Sequence, residues 1–304
     1  MEELKLKARA KINLTLDVTG KQPNGYHTVC MIMQTVSLYD NIYIKRIDKP
    51  VIRVKSNLEW LPTDERNLAY RGAELLRNTF HIKDGVFIYL DKKIPVAAGL
   101  AGGSANCAAV LVGMNKLFRL GLSKKSLMKL GLQLGADIPY CILQGTALAE
   151  GIGEKLTPIV SGCPFCYVLL AKPNISISTA SVYQNLHLDK IEKHPDTKEM
   201  LLQMQQNNVD GMGNLLCNVL ETVTISKYHE IALLKQKMLS FGAKGALMSG
   251  SGSTVFGLFT EKQKAIEAEH SIKKEFELRD VFVTEIWNKK QQKKERVRNG
   301  RLQV

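Results

Sequence analysis

Hydrophobic and polar residues alternate without a break from Leu4 to Val18. Leu4, Leu6, Ala8, Ala10, Ile12, Leu14, Leu16 and Val18 fall on one face, and Lys5, Lys7, Arg9, Lys11, Asn13, Thr15 and Asp17 on the other. A period of two is the pleat of a β-strand, and a strand with one apolar and one polar side is half-buried. Lys11 and Asn13 therefore project together from the polar side, either as ordinary solvent-exposed residues or as half of a site, and alternation alone favours the first reading. Gln22-Pro23-Asn24-Gly25 follows as a turn, with Tyr26 and His27 just beyond it, ahead of a second apolar stretch.

The period then lengthens. Arg66 to Phe80, after a loop holding Pro62, carries Leu68, Leu75 and Leu76 at helical spacing, and Val86 to Leu90 has strand character. Ser104 to Leu117 is rich in Ala, Val, Leu and Met and reads as a buried helix; Ser123 caps another that ends around Gly135. These elements predict an α+β domain over residues 1–160. Beyond it, Tyr167 to Ala171 reads as a strand, residues 172–178 as a loop entering a helix near Tyr183, and the Gln/Asn-rich residues 203–208 as surface between helices. Gly245 to Met248 and Thr254 to Phe259 read as strands joined by Ser249-Gly250-Ser251-Gly252-Ser253, followed by an amphipathic helix from Lys262 to Leu278 and a strand over Val281 to Ile286. That is a second α+β domain, residues 161–288, with no internal repeat.

Composition narrows the setting. A chain of 304 residues, 45% hydrophobic and 23% charged, suffices for two ordinary domains with separate cores. No apolar run reaches the roughly 18 residues of a membrane span, and Met-Glu-Glu-Leu-Lys-Leu-Lys is no signal peptide, so the expected location is the cytoplasm, with no membrane partner. Cys30, Cys107, Cys141, Cys163, Cys166 and Cys217 lie in core-like segments, as small hydrophobes in a reducing compartment would. Cys163 and Cys166 have CxxC spacing, but no second pair completes a zinc site, and no metal-ligating side chains are assigned. Of the net charge of +13, +6 belongs to residues 289–304, where seven basic residues oppose only Glu295. No aromatic residue is interleaved there, so this basic tail reads as a solvated extension and not as a nucleic-acid arm.

Two segments carry candidate chemistry. Pro95, Val96, Ala97, Ala98, Gly99, Leu100, Ala101, Gly102, Gly103, Ser104 and Ala105 lead from a strand into a helix with only small residues beside the turn. Missing side chains let backbone N–H groups approach a ligand, and the helix N-terminus adds partial positive charge, which suits a phosphate; the competing reading is a tight turn that permits close packing. The loop has neither Walker A nor GxGxxG spacing. Asp137, in Gly135-Ala136-Asp137-Ile138-Pro139, is a carboxylate in apolar surroundings; it is either a partner for a cation such as Lys11 or a helix cap.

Ala10-Lys11-Ile12-Asn13-Leu14, Gly25-Tyr26-His27, the loop at 95–104, Leu134-Gly135-Ala136-Asp137-Ile138-Pro139, Glu150-Gly151-Ile152-Gly153-Glu154 and Met248 to Ser253 resemble, in this order, the motifs of the GHMP kinases. Gly25-Tyr26-His27 is similar to the branch that acts on a cytidine diphosphate ester in the non-mevalonate route to isoprenoid precursors. The resemblance implies a two-domain fold, with an N-terminal domain built like a ribosomal-protein domain and a ferredoxin-like C-terminal domain. It implies ATP with Mg2+ as phosphoryl donor and a 2-hydroxyl of the cytidine diphosphate substrate as acceptor. It implies Lys11 and Asp137 as the catalytic pair, Asn13, Tyr26, His27, Thr179 and Tyr183 as substrate contacts with cytosine between Tyr26 and Tyr183, and residues 95–105 with Asn67 around the nucleotide. A monomer or homodimer without nucleic acid is expected.

The chain departs from the family where Ala97, Ala98 and Ala101 stand at positions that are commonly Gly, and Ala105 at one that is commonly Ser. Alanine resists positive φ, so loop geometry or nucleotide affinity is expected to differ. Two other readings share some of these features: a different GHMP kinase, acting on mevalonate, homoserine or a sugar, and a basic nucleic-acid-binding protein, whose affinity would fall steeply with salt.

Overall fold

The computed structural model describes residues 3–23 and 25–288; the basic tail at 289–304 lies outside them. In chain order the first elements are β1 (Glu3–Lys21), β2 (His27–Ile47), β3 (Ile52–Ser56), α1 (Leu68–Thr79), β4 (Gly85–Asp91), α2 (Gly102–Leu117), α3 (Lys124–Leu132), α4 (Ile138–Leu143), β5 (Thr146–Gly151) and β6 (Lys155–Pro158). There follow β7 (Tyr167–Ala171), α5 (Thr179–Gln184), a single 3-10 turn (Leu188–Lys190), α6 (Thr197–Gln205), α7 (Val209–Leu215), β8 (Cys217–Asn218), α8 (Glu221–Lys227), α9 (His229–Ser240), β9 (Gly245–Met248), β10 (Val255–Phe259), α10 (Lys262–Glu275) and β11 (Val281–Glu285). The α+β class holds. Among the described residues no helix is long and apolar enough to cross a membrane.

Two compact units follow spatial contact and not linear order. Among the described residues, the first comprises 3–10, 38–96 and 101–144; the second comprises 11–23, 25–37, 97–100 and 145–288. The long strands β1 and β2 each contribute to both, dividing after Ala10 and after Ser37.

In the first unit, β4 pairs antiparallel with β2 from Asn41↔Asp91 to Ile47↔Gly85, and parallel with β3. Ile42, Ile44, Val54, Val86, Ile88 and Leu90 form a buried layer with Ala69, Ala73 and Leu76 of α1 and Cys107, Leu111 and Met114 of α2. Gly72 lets α1 and α2 meet: a Cβ there would lie 2.9 Å from the Cys107 sulfur. The middle of α2, Ala105 to Leu111, is buried on every face, as its composition predicts, while Gly103 and Lys116 near its ends are exposed.

In the second unit, β2 pairs with β5 from Val29↔Gly151 to Gln34↔Thr146, and β5 turns back into β6. The Glu150-to-Glu154 motif is that hairpin turn: Gly151 and Gly153 have φ of 73° and 105°, and the Glu154 carboxylate accepts the Ile152 N–H at 2.6 Å. A separate antiparallel sheet runs β11-β7-β10-β9, with Val255↔Ala171 and Val255↔Met248 fixing its register.

The sequence expectation of a solvent-exposed polar face on β1 fails in the middle of the strand. Arg9, Lys11, Asn13 and Thr15 are all buried, so both faces are covered there. The expected Leu75 of α1 is only half-buried, and the helix instead buries Ala69, Gly72, Ala73 and Leu76. The helix capped by Ser123 stops at Leu132, three residues before Gly135.

Candidate functional site

Within the second unit, Lys11 and Asn13 sit side by side on β1. The Lys11 ammonium donates to Asn13 Oδ1 at 2.7 Å, and Asn13 Nδ2 donates to the Met31 sulfur at 3.1 Å. Lys11 is only 5% exposed, and the partner it has here is a neutral amide. An ammonium buried beside a neutral group is electrostatically unbalanced, and a site of that kind favours an anion.

Two glycine-bearing segments close over these side chains. Lys11 N–H donates to Leu100 O at 3.2 Å, and Thr254 N–H donates to Ala98 O at 3.3 Å. The Ser249 hydroxyl donates to Gly99 O at 3.0 Å. Gly99 has no space for a side chain, since its Cβ would fall 2.1 Å from Ser249 O. At Gly250, φ is 57° and a Cβ would stand 3.2 Å from both Gly99 O and the Lys11 nitrogen. Asn218 holds this second loop by donating to Met248 O and Gly250 O, each at 2.8 Å. The sequence marks the Ser249-to-Ser253 segment as a strand connector and, through the resemblance, as a family motif without an assigned role, and does not single out Asn218; an isolated Asn has no signature at the level of spacing.

The substrate candidates are also in this unit. His27 and Tyr183 bring their rings to 5.1 Å between centroids at an interplanar angle of 35°, while Tyr26 is 59% exposed. Thr179, at the start of α5, has its hydroxyl 2.7 Å from that of Ser251. Burial, with a smaller contribution from the Lys21 charge, lowers the His27 pKa from its usual 6.5, so the imidazole is neutral at pH 7. A neutral imidazole presents one donor and one acceptor.

In the first unit, Asp137 occupies the position before α4 with helical φ and ψ of −78° and −16°, and its carboxylate caps nothing. Pro139 explains this in part, because a cap accepts from the second or third helical N–H and Pro139 has none. The helix-cap reading of Asp137 is thereby removed, leaving a half-buried carboxylate at the head of a six-residue helix. Asn67 does cap α1: its Oδ1 accepts the Ala69 N–H at 2.9 Å and its Nδ2 donates to Pro62 O at 2.7 Å.

The loop at 95–105 has positive φ at three residues, Ala97 (53°), Gly99 (72°) and Ala101 (55°). Two of the three alanines that stand at commonly Gly positions therefore sit in the conformation that alanine resists. Ala101 opens α2 without any side-chain cap, and Gly102 and Gly103 leave the first turn bare. The N–H groups of that turn are orphan donors beside the positive end of a 16-residue helix.

Cys163 and Cys166 are buried free thiols; burial pushes the Cys166 pKa up to about 12, which leaves it an unreactive packing residue. Among the described residues no group of three or more His, Cys, Asp and Glu could hold a metal ion.

Sequence models of the GHMP kinases match twice in this chain, the N terminal domain over residues 67–145 and the C terminal domain over residues 197–278. A 4-diphosphocytidyl-2-C-methyl-D-erythritol kinase of Lachnoclostridium phytofermentans is 54% identical over 267 residues, 88% of this chain and 91% of its own. The chain belongs to the GHMP kinases. Another relative of the same name, from Clostridioides difficile, is 48% identical over 93% of this chain and 95% of its own. Among solved structures, a 4-(cytidine 5'-diphospho)-2C-methyl-D-erythritol kinase superposes with a TM-score of 0.80 at 28% identity, covering 94% of this chain and all of that one. An L. major mevalonate kinase in complex with R-mevalonate matches at TM-score 0.74 but only 15% identity, over 95% of this chain and 98% of its own, a likeness of fold alone. GHMP kinases thus account for both α+β halves and for the glycine loop that separates β4 from α2.

Proposed function

We propose that this chain transfers the γ-phosphoryl group of Mg-ATP to the 2-hydroxyl of 4-diphosphocytidyl-2-C-methyl-D-erythritol, a cytoplasmic step toward isoprenoid precursors. The observation that carries the substrate is the agreement of relatives 46–54% identical over most of the chain, each named for that substrate. The Tyr183 ring, with the His27 ring 5.1 Å from it, supports it as a face on which cytosine can lie within reach of His27.

In this reading Asp137 accepts the proton of the substrate hydroxyl as its oxygen attacks the γ-phosphorus. The bond between that phosphorus and the oxygen bridging to the β-phosphate breaks, and ADP leaves. Lys11 offsets the charge that develops during transfer, with Asn13 fixing the direction of its ammonium. The bare first turn of α2 and residues 95–105 receive the nucleotide phosphates. Mg2+ would enter as part of the Mg-ATP substrate and would supply neutralisation of phosphate charge. Asn67 has one amide hydrogen and one carbonyl lone pair left after capping α1, enough for a single contact to adenine. Tyr26 covers the opposite face of cytosine, His27 hydrogen-bonds its edge, and Thr179 orients the rest of the substrate.

The test is a panel of acceptors read by ADP release. Turnover of the cytidine diphosphate substrate, with none of mevalonate, homoserine or a hexose, is expected; turnover of one of those instead would overturn the assignment. Stacking a base on an aromatic ring contributes about 1–3 kcal/mol. Tyr183→Ala should therefore raise the KM of the cytidine substrate by roughly 5- to 150-fold, with the KM of ATP unchanged. The pH dependence follows from His27. Its pKa is lowered, so the neutral, binding-competent ring persists to lower pH than for an ordinary imidazole; kcat/KM for the cytidine substrate should fall with acidification, with a midpoint below the ordinary imidazole value of about 6.5. His27→Gln should remove that decline.

A further inference from the structure

Both ends of the glycine loop are tied to one buried carboxylate. Asp40, at the middle of β2, is completely buried, and its Oδ1 accepts the N–H groups of Lys93 at 2.6 Å and Ile94 at 2.8 Å, immediately before the loop. Its Oδ2 accepts from the Lys92 ammonium and, at 2.7 Å, from Asn106 Nδ2, in the second turn of α2 immediately after the loop. Asn106 Oδ1 in turn accepts from Lys92 at 3.0 Å, closing a triangle. The ion pair is dry, with side-chain exposures of 4% for Lys92 and 0% for Asp40. Lys92 is held by its backbone as well, since its N–H donates to Asn57 Oδ1 at 2.8 Å and its carbonyl accepts from Asn57 Nδ2 at 3.1 Å. Gly102 lies against this cluster: a Cβ there would come within 3.2 Å of the Lys92 nitrogen and 3.1 Å of Ile94.

Between those tied ends stand Ala97 and Ala101, both at positive φ. A left-handed alanine is strained and persists only where its surroundings over-determine it. We propose that Asp40, Lys92 and Asn106 form a clamp that holds the alanine-bearing loop in its phosphate-binding shape, doing by restraint what glycine would do by freedom. They are positioning residues, because none of them needs to touch the nucleotide. The inference rests on the reading of residues 95–105 as the nucleotide loop.

Asn106 is the residue to change, because Asn106→Ala leaves the Asp40–Lys92 ion pair intact. Binding of ADP and of a non-hydrolysable ATP analogue would be measured by calorimetry on the full chain, in four proteins: wild type, Asn106→Ala, Ala97→Gly/Ala101→Gly, and the combination. Asn106→Ala is expected to weaken nucleotide binding about tenfold where the alanines are present and less than about threefold where glycines replace them, since an unstrained loop has less need of the clamp. In turnover the KM of ATP should rise with kcat at saturation held, the mark of lost uniform binding. An equal effect of Asn106→Ala in both backgrounds, or none in either, overturns the clamp. Should Asn106→Ala not fold, the glycine variant decides by itself: relief of strain must raise its Tm above wild type, and an unchanged or lower Tm removes the premise. A wild-type protein that binds no adenine nucleotide would refute the nucleotide-loop reading instead, which keeps the two failures distinct.

Discussion

Asp137→Asn is expected to lower phosphoryl transfer by about a thousandfold, within the range general-base catalysis contributes, while the cytidine substrate still binds. The substitution is nearly isosteric and removes only the proton-accepting charge. Asp137 caps no helix N–H, so nothing in the backbone of α4 depends on its carboxylate. Stability should accordingly stay within about 0.5 kcal/mol of wild type, as for surface changes away from special features. Single-turnover rates with saturating Mg-ATP, alongside a thermal melt, separate the two quantities. Retention of more than a tenth of the wild-type rate would remove Asp137 as the base, and a large fall in Tm would return it to a structural role.

Legibility differed with the range over which information travels. Strands β1, β4, β7, β9, β10 and β11 and helices α1, α2, α5 and α10 announce themselves through local period and capping residues. Elements β3, β5, β6 and β8 do not, because they mix polar and apolar residues over two to six positions and lack the unbroken apolar runs of the equally short β7, β9 and β10; α4 carries no period, and α8 and α9 carry weak periodicity broken by polar residues. The middle of β1 is the instructive case. Its alternation is that of a half-exposed strand, yet Leu100 and Gly250, far away in the chain, cover Lys11. Period reports the side-chain direction and is silent about what distant segment lies in that direction. Family resemblance selected Lys11, Asn13 and Asp137 where physical reasoning alone left them open. Neither route found Asn218 or the Asp40–Lys92–Asn106 cluster, whose members are separated by up to 66 residues and bear no common motif.

Lys11→Met should separate stability from activity in the opposite direction to most core substitutions. Removing one partner of a buried hydrogen bond leaves Asn13 Oδ1 short of a donor, which costs about 1–3 kcal/mol. The same change also removes an ammonium that is 5% exposed and has a neutral partner, and relief of that desolvation works the other way. Methionine fills nearly the same volume, so packing beside Asn13 and Gly250 is preserved. The two contributions offset, and the melting temperature is expected to stay level or to rise. The catalytic loss has no such offset, because the charge developing on the transferred phosphoryl group then faces a thioether; a fall in kcat of about a hundred- to a thousandfold is expected, with the KM of the cytidine substrate little changed. Calorimetry and steady-state kinetics on the same preparation decide it. A destabilised protein with near-normal kcat would show that Lys11 is there for the fold, whereas a stable and inactive one would show that β1 keeps a costly buried cation because transfer requires it.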